Sequence, residues 1–204
     1  MVPLERVLGV PWVYTRLRPW LLGGIDLSPV FDLLGETDSD VLLDVGCGTG
    51  VALNYLHALR EYHGFDPDAR AIRYAERTYR ASNVHFYNRL LDKADVASIR
   101  PTKALLLGLL HHLDAAGVRD LLQMLGASQT ISQVVTDDVF YAPGRHINNL
   151  LARLDRGKFV RTIPGMHGLF QQSPFEVKRS CLSASGNKLA LYFIADLRPR
   201  HADP

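Results

Sequence analysis

The chain has 204 residues, 47% of them hydrophobic and 22% charged, with a formal net charge of +2; that suffices to bury one core and is short for two independent domains. Its Lys and Arg residues are scattered, so no basic face of the kind that grips a nucleic-acid backbone is expected. Cys47 and Cys181 stand far apart, without Cys or His companions at ligand spacing, so they mark neither a disulfide framework nor a metal site and suit a reducing, cytoplasmic setting.

Residues 1–36 hold Trp12, Trp20, several prolines and paired glycines, and read as short helices broken by turns: a helical N-terminal cap ahead of a domain spanning 37–204. Glu5, Arg6, Arg16 and Arg18 interrupt the apolar runs, so the segment has no signal-peptide layout and falls short of the roughly 20 apolar residues of a spanning helix. No stable membrane insertion is expected. Trp12, Tyr14 and Trp20 read as packing residues, with the lining of an apolar acceptor pocket as the alternative.

From Val41 onward, short apolar runs alternate with helical patterns: VLLDV, then a helix over 51–59; YHGFD, then 68–79; NVHFY; KALLLG, then 116–125; and ISQVVTD. This order argues for βα units and a parallel sheet covered on both faces. KRSCLSAS and KLALYFIADL, joined by Gly186-Asn187, read as an antiparallel hairpin with a type I′ turn or a related geometry. The stretch from Tyr141 to Phe175 reads as loop that sets specificity, and the basic residues between Arg145 and Arg179 as a solvated face.

The run VLLDVGCGTG leads from a buried strand through one acid, Asp44, into three glycines spaced two apart. Glycines at such a turn let a ligand approach the backbone, and a helix opening at Val51 would present unpaired N–H groups and a partial positive charge. Asp66, which comes 20 residues after Gly46 at the end of the second apolar run, stands where a carboxylate accepts from both hydroxyls of a ribose. An adenosine-containing ligand follows; NAD and S-adenosylmethionine both satisfy that much. The loop separates them, because Val51 occupies the sixth position of a Gly-x-Gly-x-x-Gly fingerprint, and Asp44 suits the ammonium of a methionine moiety better than a pyrophosphate.

LLDVGCGTG, YHGFDPDARAIRYAER and ALLLGLLHHLD resemble, in order and spacing, the first, second and fourth motifs of class I S-adenosylmethionine-dependent methyltransferases. The resemblance runs from about Leu42 to Ala142. It implies an α/β fold, a Rossmann-like doubly wound sheet of seven mostly parallel strands with the last antiparallel, with S-adenosylmethionine as cofactor and S-adenosylhomocysteine as product. Position by position, it implies that Gly46, Cys47, Gly48 and Gly50 wall the methionine side, that Asp44 anchors the amino group, that Asp66 holds the ribose with Pro67 beside the adenine, and that Gly108, Leu109 and Leu110 floor the pocket. The third motif departs from the family: where many relatives carry an acid, this chain has YNRLL, leaving Asn88 to accept from the adenine amino group through its amide oxygen. The segment TDDVFYAPGRHINNLLARLDRGKFVR is similar, through Arg153, Asp155, Arg156, Gly157 and the Phe-Val-Arg that follows, to a set of bacterial methyltransferases that mostly lack an assigned substrate, which supports the enzyme class and leaves the acceptor open.

Methyl transfer from a sulfonium needs a nucleophile in line, about 3–3.5 Å from the methyl carbon, and a base where that nucleophile carries a proton. Ligands of open α/β sheets sit at the carboxyl ends of the strands. The catalytic candidates are therefore His112 after the fourth strand and Asp138 and His146 after the fifth, with His111, Asp137 and Tyr141 beside them. Each has a structural reading too: His112 as a helix-start histidine, the paired acids as turn caps. The expectation is an enzyme that methylates a small-molecule or lipid-like acceptor, and the alternative is a scaffold or sensor that binds the cofactor without catalysis.

Overall fold

The computed structural model of the chain describes residues 25–155 and 157–200; Trp12, Tyr14 and Trp20 lie outside them. Eight strands form in chain order: β1 (Val41–Val45), β2 (Glu61–Phe65), β3 (Val84–Tyr87), β4 (Lys103–Leu107), β5 (Gln133–Tyr141), β6 (Arg161–Thr162), β7 (Phe175–Ala184) and β8 (Leu191–Pro199). The main path runs β3-β2-β1-β4-β5-β8-β7, with the two-residue β6 pairing off β5. β8 lies antiparallel to both β5 and β7, and the pairs among β1 to β5 are parallel. This is the doubly wound sheet expected from the alternating runs.

The central strands are apolar along their whole length because both faces are covered. On one face, Leu42, Tyr62, Leu105, Val135 and Ile194 pack under helix α1 (Ser28–Leu34) through Val30, Phe31 and Leu34. On the other, Leu43, Ala104, Leu106, Val134 and Ala195 pack under α3 (Lys93–Ile99), α4 (Ala115–Gly126) and α6 (Ile163–Gln171). Helix starts follow side-chain caps: Asp68 accepts from the Arg70 amide at the head of α2 (Ala69–Thr78), Asp92 and Asp95 form a reciprocal capping box on α3, and Asp114 caps α4 through the Gly117 amide. No helix among the described residues is long and apolar enough to cross a membrane.

Two local expectations are corrected, and the geometry of the hairpin turn is made specific. The helix expected over 51–59 is a single 3-10 turn, Val51–Asn54, entered from Gly50 in the left-handed region (φ 76°); the chain then leaves it at Tyr55, whose ring stacks on Phe31 with centroids 4.9 Å apart and planes 1° off parallel. β-branched Val51 and Asn54 are weak helix formers, and the aromatic stack outweighs another turn. The segment expected as loop from Tyr141 to Phe175 contains α5 (His146–Arg153), β6 and α6. At the hairpin, the Lys188 amide donates to the Ser185 carbonyl at 2.7 Å and Lys188 itself takes φ 60°, so the positive-φ residue is Lys188 rather than Gly186 or Asn187 of a type I′ turn.

Because Phe31 is 7% exposed and sits in the same cluster as the strand residues, Phe31→Ala should lower the free energy of unfolding by about 3 kcal/mol. Urea denaturation checks this, and a change under about 0.5 kcal/mol would place α1 outside the cooperative core.

Candidate active site

The site is built first from the loop after β1. The Gly46 and Cys47 amides donate to the Phe65 carbonyl at 2.8 and 3.1 Å and the Gly50 amide to the Cys47 carbonyl at 2.9 Å. The Gly48 amide donates to Asp66 Oδ2, also at 2.9 Å. With the 3-10 turn replacing a full helix, the expected cradle of unpaired amides is absent from these four residues: their N–H groups hold the loop in shape. What the loop offers instead is close approach. Gly48 sits at φ +53° with nothing within 4 Å of where a Cβ would stand, and a Cβ on Gly46 would meet Leu109 Cδ1 at 3.0 Å, so the glycine loop and the turn after β4 touch.

Beneath the loop lies Asp44, 1% exposed. Tyr62 donates its hydroxyl to Asp44 Oδ2 at 2.6 Å, and Oδ1 has no partner. Burial, with the charge of Asp66 adding to it and the Tyr62 bond opposing, pushes the carboxyl up to about 7. A buried acceptor without a partner is costly, and a cation approaching through the glycine loop would relieve it. Tyr62 was not singled out in the sequence; only the β1–β2 register, which sets it beside Leu42, reveals it. Cys47 contributes backbone alone, for its buried thiol packs where a Gly64 Cβ would stand, 2.8 Å away, and burial keeps it protonated.

Asp66 is half-buried and both its oxygens accept backbone amides, Gly48 at 2.9 Å and Asp68 at 2.7 Å, which leaves the further lone pair of each oxygen for a ligand. The Asn88 amide nitrogen donates to the Asp66 carbonyl at 3.1 Å, so its oxygen is the atom that faces out. Pro67 and Asn88 are exposed at the same rim, and so is Gly108 beyond β4.

The catalytic candidates separate. His111 is buried, donating its amide to Asp138 Oδ2 at 3.0 Å, with Nδ1 on Asp138 Oδ1 and Nε2 3.1 Å from Asp155 Oδ1. Burial opposes its charge, but the two carboxylates prevail and raise it to about 9. Asp138 is thereby committed to holding His111. The segment after α5 completes the clamp: the Phe159 amide donates to the His111 carbonyl at 3.0 Å, and Arg161 donates to the Leu110 and Leu113 carbonyls at 2.7 and 2.6 Å. Gly157 lies so close that a Cβ would meet His111 Cδ2 at 1.8 Å. Arg161, which the sequence placed on a solvated basic face, is thus structural. His112 is exposed beside His111, ring centroids 4.1 Å apart.

Asp137 points to the opposite face of β5 from Asp138, in the row of Leu107, Ile194 and Cys181, the same face that carries Asp44. It is 5% exposed and its Oδ1 has no partner. Burial, then the neighbouring charge of Asp138, raises its carboxyl to about 7. His146 begins α5 in a separate cleft of about 300 Å³, lined by α5 and the β7–β8 hairpin and by none of the glycine loop; it is not brought together with His112.

The family model of a methyltransferase domain matches residues 42–127. Over that span the chain is similar to a methyltransferase domain. No curated protein matches it in sequence, but solved structures share the fold. Magnesium protoporphyrin IX methyltransferase from Synechocystis, with bound SAH, superposes with a TM-score of 0.63 at 13% identity over 90% of this chain and 84% of that one. The N-methyltransferase NodS from Bradyrhizobium japonicum gives 0.63 at 13% over 93% and 99%. N,N-8-amino-8-demethyl-D-riboflavin dimethyltransferase from Streptomyces davawensis gives 0.60 at 19% over 84% and 53%.

Two buried groups titrate in distinct windows. His111, raised when folded, stabilises the fold fully below its unfolded value near 6.5 and loses that contribution as pH rises through about 9. Wild type should therefore lose about 1–3 kcal/mol between pH 7 and 10 that His111→Gln does not. Asp137, also raised, contributes stability below its ordinary range and loses it as pH rises through about 7, so Asp137→Asn should gain on wild type by about 1–3 kcal/mol from pH 4 to 7. Denaturation across pH checks both, and parallel profiles for variant and wild type would contradict them.

Proposed function

We propose that the chain binds S-adenosylmethionine and transfers its methyl group to a small-molecule or lipid-like acceptor. The observation that carries this reading is the buried Asp44 with one unpartnered oxygen beneath a glycine loop whose amides are already engaged. Such a loop has little to offer a pyrophosphate and suits an ammonium, which argues for a methionine moiety over NAD. Asp44 Oδ1 takes the ammonium, the Gly46–Gly50 loop lies along the methionine chain, Asp66 accepts from the ribose, and the Asn88 oxygen accepts from the adenine amino group beside Pro67. Gly108 and Leu109 floor the pocket. Bound there, the cofactor supplies a methyl group already activated on a sulfonium.

The acceptor then lies over the carboxyl ends of β4 and β5. Asp137, on the Asp44 face and near neutrality in its titration, takes the acceptor's proton or holds its cationic group. His112, exposed on the turn that His111 clamps, orients the acceptor. Asp138 is a positioning residue that acts through His111. The names of the structures sharing the fold, a porphyrin methyltransferase and a riboflavin-type dimethyltransferase among them, are in keeping with a small molecule. The unpaired Cys47 and Cys181 suit the cytoplasm.

Calorimetric titration with S-adenosylmethionine, S-adenosylhomocysteine and NAD tests the reading. The two sulfur ligands should bind at micromolar concentration, about −8 kcal/mol, and NAD should not. Asp66→Ala should weaken cofactor binding by about 1–3 kcal/mol. Binding of NAD alone would overturn the proposal, and equal affinities for wild type and Asp66→Ala would remove the ribose contact.

A further inference from the structure

Glu61, His63 and His85 meet toward the amino-terminal half of β2 and β3, and methyl transfer as proposed uses none of them. We propose that these three side chains form a binding site for a zinc-like divalent transition-metal ion, with two imidazole nitrogens and one carboxylate oxygen as protein ligands. The two-residue period of a strand puts Glu61 and His63 on one face, and the parallel register sets His63 opposite His85. One potential ligand atom from each of the three lies within 4.8 Å of the others. Glu61 Oε2 and His63 Nε2 are 3.0 Å apart, close to the roughly 3.0–3.4 Å separating neighbouring ligands on an ion with bonds of about 2.0–2.1 Å. A small rotation of the half-buried His85 brings in the third.

The surroundings agree with that occupant. The other nitrogen of His63, Nδ1, is 3.1 Å from the Tyr87 hydroxyl, the kind of outer partner that fixes a metal-bound imidazole's tautomer and leaves Nε2 as the donor. An open cleft of about 600 Å³ lined by Glu61, His63 and Tyr87 gives an entry path, and Arg60 lies 3.7 Å from the other Glu61 oxygen, Oε1. Two imidazoles with one carboxylate favour Zn²⁺, Ni²⁺ or Cu²⁺ over Mg²⁺ or Ca²⁺. The other such grouping among the described residues, His111, His112 and Asp155, is a poor competitor, because both His111 nitrogens already meet carboxylates.

The test titrates the full chain, stripped with a chelator, with Zn²⁺ by calorimetry and with Co²⁺ by visible absorption. One equivalent should bind, about tenfold or more weakly in His85→Ala and in Glu61→Gln, with His112→Ala and the affinity for S-adenosylhomocysteine unchanged. Both ligand variants alter half-buried side chains, and circular dichroism confirms their fold. Absence of Zn²⁺ binding by wild type, wild-type affinity in both ligand variants, or loss of binding in His112→Ala alone would overturn the site, whatever the outcome for methyl transfer.

Discussion

A carboxylate held out of water with half of its hydrogen-bonding capacity unmet is the constraint around which this fold is arranged. Asp44 stands one residue before the end of a strand that is buried along its whole length, and Tyr62 meets one oxygen only. Ionising such a group costs several kcal/mol unless a partner arrives, which is why its titration sits near 7 rather than in the ordinary carboxylate range. The amides of Gly46, Cys47, Gly48 and Gly50 above it do not provide that partner, because they bind the end of β2, Asp66 and the loop itself. The loop is therefore stiff and open at once, a combination that reduces the ordering cost of binding.

The same logic, reversed, governs the turn after β4. Asp137 and Asp138 are adjacent on one strand and both buried, yet the pleat sends them to opposite faces. Asp138 meets an imidazole that two carboxylates keep charged, and Asp137 leaves its Oδ1 without a partner. Two carboxyls in neighbouring positions thus acquire different states from their surroundings: one holds His111 and so the turn that leads from Leu109 to His112, the other stays buried on the Asp44 face with one oxygen unmet. Asp155, Gly157 and Arg161 close around that turn from a segment more than forty residues away in the chain.

Much of the sheet is legible because short apolar runs, the mark of strands covered on both faces, recur between turn residues from Val41 to Asp137, and the turn after β1 is legible because its glycines are spaced two apart. Less legible were features set by tertiary contacts. The helix expected after the loop reduces to one 3-10 turn once Tyr55 finds Phe31, a stack no local propensity announces. α3 was missed although Asp92 and Asp95 sit at capping-box spacing, because its short Val-Ala-Ser-Ile face is weakly periodic. α5 and α6 are masked in the sequence by their glycines and paired asparagines, which hide the Ala152, Met166 and Phe170 that are buried. Tyr62 and the His111 clamp depend on strand register and on contacts far apart in sequence, so the motif residues alone pointed to His112 and Asp138 without revealing which histidine Asp138 holds.

The most direct measurement compares the affinities of S-adenosylhomocysteine and 5′-methylthioadenosine, which lacks the amino-acid moiety, for wild type and Asp44→Asn. If the unpartnered oxygen of Asp44 receives the ammonium, the substitution weakens S-adenosylhomocysteine by about 1.5–3 kcal/mol, the scale of a hydrogen bond to a charged group, and leaves 5′-methylthioadenosine nearly unchanged. An equal loss for both ligands, or none for either, would contradict the account.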